Sequence, residues 1–403
     1  LNISNVTTLG HEAGYYATGS SNTFIGAEAG KGGTTSAPYS SAEKNTAVGY
    51  QALTAFTTGG TNTAVGYRAG KAITTAVNNV LLGSGAGDDL TSGGANVIIG
   101  ADAGSNITTD AYVTAIGYVA GQYMENAGEA RYNTVVGNGS GYQSGKGIHQ
   151  TYLGAQSGFY ATGSYNTFVG SDAGKGGTTS APYSSGENNT AVGKSALTGF
   201  TTGYSNTAIG RHAMQSATTA HENVAVGANA GYDMTTAADN VVIGHSAAEN
   251  YVESQRNVTI GHKAHFVSQY ANDNIVIGYH AGYNCNLSDW NVLIGAYAGY
   301  KLGDSGGASG ANNGDSSYNV AIGYEAMGGG DATATNNVAA ANVAIGHHAL
   351  GGSTRASDGT ALSGDENTVV GSFAMEDATS ANKNVAIGHD SGKEITTASG
   401  SVF

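Results

Sequence analysis

Eight of the 11 histidines fall at two adjacent places of a recurring unit: His11, His245, His262, His347 and His389 directly follow a glycine, and His212, His280 and His348 stand one place further on. Imidazoles repeated in neighbouring strands about 5 Å apart could hold a transition metal, the more so if a symmetry axis multiplied them. The same place also takes Tyr50, Tyr67, Tyr118, Tyr279 and Tyr324, and even Ala, which no ligand shell tolerates. A planar stacking ladder is therefore the favoured reading. Glu12, Glu28, Asp102, Asp172, Glu325 and Asp390 all stand two after the glycine, where a glycosidase-like carboxylate pair is conceivable. Their recurrence at one repeat position favours a solvated corner. Cys285 is the single cysteine and falls at an apolar position, so it reads as a small buried hydrophobe and not as a nucleophile. No phosphate loop, zinc-protease helix or nucleophile elbow is present. No catalytic residue, cofactor or metal is expected, and the chain does not read as an enzyme.

The element that positions these residues is the repeat itself, Asn-x-x-apolar-Gly-x-x-small. It runs through NTAVGYQAL from Asn45, NTAVGYRAG from Asn62, NVIIGADAG from Asn96, NVAVGANAG from Asn223, NVLIGAYAG from Asn291 and NVAIGHDSG from Asn384. There are 21 copies, from Gly10 to Gly388, and 12 of the 20 intervals between their glycines are 17 residues. A fixed coil with insertions at one point explains the longer intervals. Positions are numbered below from this corner glycine.

Position −1 is Val, Ile or Leu in all 21 copies, and position +3 is Ala in 18 and Ser in three. Both are expected inside. A further apolar position falls at +7, with Phe56, Ile73, Leu90, Ile107, Phe200, Met234, Cys285 and Ile395. Each coil should then hold a strand, a corner, a second strand and a return. The corner glycine fits a positive φ or a close backbone approach. Asn at −4, in 18 of 21 coils, can form a ladder of stacked side-chain amides. Helix fails because the apolar positions lack a 3.6 period and Gly, Asn and Thr are too frequent. The fold expected is all-β, a parallel β-solenoid (β-roll) of about 21 coils, roughly 100 Å long at about 4.8 Å per coil.

Composition agrees with this and removes several function classes. The 403 residues include 65 Gly, 2 Pro and 11% charged residues, against roughly 25% charged in an average domain. Collagen is excluded by the missing Gly period, and disorder by the 40% hydrophobic content. With 15 Lys+Arg against 29 Asp+Glu, the net charge of −14 supplies no basic face for nucleic acid or an anionic membrane. No 18-residue apolar run offers a membrane span.

Residues 1–299 form the regular stretch, and residues 300–403 continue it with longer loops. The segment GKGGTTSAPYSS at 30–41 recurs unchanged at 174–185, within a block duplicated at an offset of 144 residues. Counting 17 from Gly388 puts the next corner glycine at 405, so the chain stops within a coil and the parent polypeptide is expected to continue beyond Phe403 with an apolar residue and then Gly. Loops leaving a rigid scaffold are the place to look for binding. The excursions at 30–44 and 174–188 present Tyr39 and Tyr183; those at 300–318 and 351–366 carry Asp304, Asp315 and Arg355. These five are the candidate receptor contacts. Adjacent Thr pairs, such as Thr57-Thr58 and Thr74-Thr75, raise ice binding. Neighbouring strand residues face opposite ways, however, so the pairs read as turn or edge.

One coil buries apolar surface worth only a few kcal/mol, less than the order of 1 kcal/mol per residue that ordering it costs. Backbone hydrogen bonds and an intersubunit core are expected to supply the rest. Position −2, with Ala, Val, Ile, Leu or Phe, is expected on the outer face as an apolar stripe that joins copies of the chain along the axis.

The recurring NTAVGYxA and NVAIGHxA units resemble the head repeats of trimeric autotransporter adhesins and related repeats of bacteriophage tail fibres, over nearly the whole chain. The resemblance implies a homotrimer, an extracellular place on a virion or bacterial cell surface, and attachment to a host glycan or protein. The 17-residue period is longer than is general in adhesin heads, which favours the fibre. The alternatives are a polysaccharide-degrading tailspike and an ice-binding solenoid.

Overall fold

The computed structural model describes residues 4–34, 39–124, 131–178, 183–285, 288–302, 316–328, 339–351 and 362–403. The chain forms two compact units, Leu1–Thr202 and Gly203–Phe403. Both are parallel β-solenoids, and together they make about 20 turns. Among the described residues the first unit has eleven three-residue strands, from Thr7–Leu9 to Thr190–Val192, and the second has ten, from Thr207–Ile209 to Val385–Ile387. Within each unit every such strand pairs in parallel with the next and at the same repeat position, as in Thr46↔Thr63 and Val224↔Val241. Insertions leave this register untouched: Val292 still pairs with Val320 although 28 residues separate them. No described helix is long and apolar enough to cross a membrane.

The corner glycines behave as the repeat requires. Gly83 has φ +137°, and a Cβ there would lie 2.5 Å from the carbonyl oxygen of Gly100 in the next coil. Gly170 has φ +134° and would meet the Gly193 oxygen at 2.7 Å. Any side chain would therefore both strain the backbone and force the coils apart.

Two expectations are corrected. The first concerns the second strand, which is almost absent among the described residues. It survives as the pair Asn250–Tyr251 with Val267–Ser268 and as single bridges such as Ala17↔Ser40. The cause is a left-handed backbone at positions +2 and +4, for example Arg68 at φ 56° and Leu53 at φ 50°, which turns the chain where a strand would have to extend.

The second concerns which face of the strand is inside. Position −2 is the core: Phe24, Leu81, Ile98, Val135, Tyr152 and Phe168 are wholly buried. Position −1 lies on the outer face, with Leu82 46%, Ile209 39% and Ile387 63% exposed. The asparagine explains the parity. Its side chain at −4 must point inward to reach carbonyls of the coil interior, and alternation along the strand then turns −2 inward and sends −3 and −1 outward. Position +3 is buried as expected from Ala29 to Ala374, and Phe56, Ile73, Leu90, Ile107, Phe200, Met234 and Cys285 are buried at +7, whereas Ile395 is half-buried.

The amide ladder is present. The Asn62 N–H donates to Asn45 Oδ1 at 2.9 Å, while Asn62 Nδ2 donates to the Ala76 carbonyl at 2.8 Å, one coil on. Asn79 repeats the first bond onto Asn62 Oδ1 at 3.0 Å. A second ladder runs through the threonines: Thr57, Thr74 and Thr91 donate their hydroxyls to the carbonyls of Thr74, Thr91 and Thr108 at 3.0, 3.1 and 2.9 Å. These hydroxyls bind backbone at turns between coils.

Candidate binding site

Among the described residues, the two copies of the duplicated excursion share their backbone bonds. Tyr16 and Tyr160 stand at position +6, and their N–H groups donate to Lys31 O and Lys175 O, each at 2.7 Å. The chain then leaves the coil and returns through Ser40 and Ser184. These bridge to Ala17 and Ala161 and donate to Tyr16 O at 3.2 Å and Tyr160 O at 3.1 Å. The Ser40 and Ser184 hydroxyls accept from the N–H of Thr34 and Thr178, both at 3.3 Å.

This return fixes the two tyrosines that the sequence singled out. Tyr39 stacks on Tyr16 with ring centroids 6.1 Å apart and planes 16° apart. Tyr183 stacks on Tyr160 at 5.9 Å and 6°. An edge-on ring completes each cluster, Tyr15 against Tyr16 at 4.8 Å and Phe159 against Tyr160 at 4.7 Å. A cation stands at each excursion's base. Lys31 Nζ lies 2.5 Å from Glu12 Oε2, and the hydrogen bond from Lys31 lowers the Glu12 pKa while raising that of Lys31. In the second copy Gln156 replaces Glu12, and Lys175 Nζ donates to Gln156 Oε1 at 2.7 Å and to Asp172 Oδ1 at 3.2 Å. Each site thus joins phenol rings, exposed at Tyr15 and Tyr39 and half-buried at Tyr16, Tyr160 and Tyr183, to an ammonium and a carboxylate or amide, a surface suited to hydrogen bonding and ring stacking. Asp304, Asp315 and Arg355, as well as Pro38 and Pro182, lie outside the described residues.

The histidine positions form ring ladders. His245 stacks on His262 at 5.2 Å and 7°, and His262 on Tyr279 at 5.3 Å and 11°. Burial, followed by the charges of His262 and Lys263, lowers the His280 pKa. Among the described residues no group of three or more His, Cys, Asp or Glu is placed to hold a metal ion. A ladder that sequence reasoning missed runs through Tyr112, Tyr132, His149 and Tyr165 at position −5, with spacings of 5.1, 5.3 and 5.3 Å. Its signal was available as rings at one repeat position in four successive coils.

The carboxylates at +2 are engaged at corners. Glu28 Oε2 accepts from Gln51 at 2.9 Å, Glu325 Oε2 lies 3.3 Å from His348 Nε2, and Asp390 Oδ1 lies 3.3 Å from Lys393 Nζ. Cys285 is buried.

Two buried polar clusters also escaped the sequence reading. Tyr251, Thr259 and His265 meet inside the second unit: the Tyr251 hydroxyl contacts Thr259 Oγ1 at 2.9 Å and His265 Nδ1, and His265 Nε2 lies 3.3 Å from the Cys285 carbonyl. Burial lowers the His265 pKa to about 4 and raises that of Tyr251. In the first unit Arg131 is wholly buried against Asp110. Asp110, Tyr251, Thr259 and His265 stand where the repeat places a small or apolar residue, whereas Arg131 stands at −6, a position of mixed residue types.

The chain matches no protein-family model and no curated protein.

Proposed function

We propose that the chain is a segment of a non-catalytic fibrous attachment protein, of the kind formed by bacteriophage tail fibres and trimeric autotransporter adhesin heads. It works as a homotrimer outside the cell, on a virion or bacterial surface, and its excursions contact a host glycan or protein. The observation that carries this reading is the outer face of the sheet. Position −1 is aliphatic in every coil, and in eight of the ten three-residue strands described in the second unit position −3 is aliphatic too, as in Val224/Val226, Val241/Ile243 and Val258/Ile260, with Thr207 and Thr368 the exceptions. In a single chain these side chains remain half in water. Copies packed in parallel would cover them, worth on the order of 1 kcal/mol per rung, a term that accumulates along the stack. The excursions begin about half a turn away in sequence and stay open in such an assembly.

Two measurements on purified protein test it: solution mass, and capture by intact bacterial cells. A trimer that adheres and releases no reducing ends from surface polysaccharide supports the reading. A protein that depolymerises the polysaccharide is a tailspike instead.

One observation favours a second reading, ice binding. In the first unit Thr23, Thr46 and Thr63, then Thr114, Thr134, Thr151, Thr167 and Thr190, stand at −3 on the outer face beside an aliphatic −1 residue. This is a single column of Thr side chains one strand spacing apart, flanked by an aliphatic column. Val80 and Val97 interrupt it. Thermal hysteresis of the purified chain decides between the readings.

A further inference from the structure

We propose that the Tyr16/Tyr39 and Tyr160/Tyr183 clusters are paired sites for one strand of a linear polysaccharide, which binds both at once along the first unit. The inference rests on the attachment reading and deepens it by naming the ligand class and the valency.

Three observations carry it. First, the excursion is identical over 12 residues, 30–41 and 174–185, whereas the scaffold around it has diverged: Tyr50 corresponds to Lys194, Tyr67 to Arg211 and Gly70 to Met214. Surface loops ordinarily diverge faster than the elements that bear them. Here the order is reversed, which points to a constraint on the loop itself. Second, the geometry is retained as closely as the sequence. Ring spacing, the two backbone bonds to Lys31 and Lys175, and the serine return all match. Third, the separation is fixed. The clusters stand eight coils apart, and strand pairing is continuous from Thr23↔Thr46 through Thr151↔Thr167. At the usual strand spacing this is about 38 Å.

A folded protein receptor offers one patch to one site. A rigid body bearing the same site twice at a fixed interval fits a ligand whose own chemistry repeats along a line. Partly exposed phenol rings beside an ammonium and a carboxylate or amide suit the C–H faces and hydroxyls of sugars. Occupying the second site is then intramolecular, and overall affinity rises well above that of either site.

The test uses the full chain with a panel of linear bacterial-surface polysaccharides, each offered as polymer and as its tetrasaccharide, which is too short to span about 38 Å. The expected result is a polymer bound about a hundredfold more tightly than its tetrasaccharide. Tyr39→Ala alone or Tyr183→Ala alone should remove that gain, and the double variant should remove binding. Lys175→Met provides a second single-site variant, and circular dichroism checks that each remains folded. Equal affinity for polymer and tetrasaccharide, or single variants that leave polymer binding intact, overturns the paired-site proposal. So does a panel in which no polysaccharide binds. If intact bacterial cells still capture the protein in those cases, the attachment reading survives; if they do not, that reading fails as well.

Discussion

Arg131 Nε donates to Asp110 Oδ1 at 2.9 Å with both side chains wholly buried, and Arg131 Nη1 donates to the carbonyls of Gly145 and Gly147 at 2.8 and 3.1 Å. The pair sits at a gap in the amide ladder, since Val113 occupies the place of the asparagine in that coil. A buried guanidinium without its carboxylate is costly. Asp110→Ala should therefore destabilise the first unit by about 3–5 kcal/mol, and the double change Asp110→Ala with Arg131→Met should recover most of that. Urea denaturation of the three proteins measures it. Equal stability of the single and double variants would show that the charges are not coupled.

Asn240 tests the ladder in the second unit. It donates through Nδ2 to the Ser254 carbonyl at 2.8 Å and accepts from the Asn257 N–H at 2.9 Å, both inside the coil. Asn240→Leu keeps the number and branching of the side-chain heavy atoms and leaves a buried donor and acceptor without partners. A loss of about 2–4 kcal/mol is expected, together with faster amide exchange at Asn257. Unchanged exchange there would mean that the ladder contributes nothing to local stability.

His265 gives the second unit a pH dependence. In the folded chain it takes up a proton only near about 4, against the ordinary 6.5, because burial disfavours its charged form. The groups around it, Tyr251 and Thr259, remain neutral, and burial raises the Tyr251 pKa. Between those two values the unfolded chain binds the extra proton. This contribution to stability is thus full above pH 6.5 and is lost as pH falls through 4. The melting temperature of the native protein should drop more steeply across that window than that of His265→Gln. Parallel curves would remove His265 as the cause.

Gly83→Ala probes the stacking distance. The added methyl would meet the Gly100 carbonyl oxygen at 2.5 Å from a backbone at φ +137°. A cost of at least about 2 kcal/mol is expected. Gly400, which has open space around it, takes the same substitution with only its φ of +70° opposing it. If the two variants melt together, coil packing does not set the glycine requirement.

Much of the architecture was legible because each coil repeats the same small set of demands. The glycine at 0, the asparagine at −4 and the apolar residue at +7 each name one physical requirement, and Gly83, Asn62 and Phe56 meet it. The face of the strand was misjudged because Val, Ile and Leu at −1 look like core when hydrophobicity alone is weighed. The inward asparagine two places before position −2 held the missing parity. The second strand was misjudged because the left-handed φ at +2, as at Arg68, carries no residue-type signal, while the signal at +4, a glycine in most coils where Leu53 stands in its own, was not read as a turn. The Tyr251–His265 and Asp110–Arg131 clusters were hidden for a different reason. Their partners come from different coils, and only stacking brings them together. Tyr39 and Tyr183 were recognisable as excursions, but their stacking on Tyr16 and Tyr160 depends on the serine return.

The aliphatic face at position −1 is where the functional account is most exposed to refutation, and sedimentation equilibrium of the purified chain tests it most directly. The account predicts a species of three times the 40.1 kDa chain mass, which Ile243→Lys together with Ile260→Lys converts to monomer without loss of β-structure. A native chain that sediments as a stable, soluble monomer at micromolar concentration would contradict it.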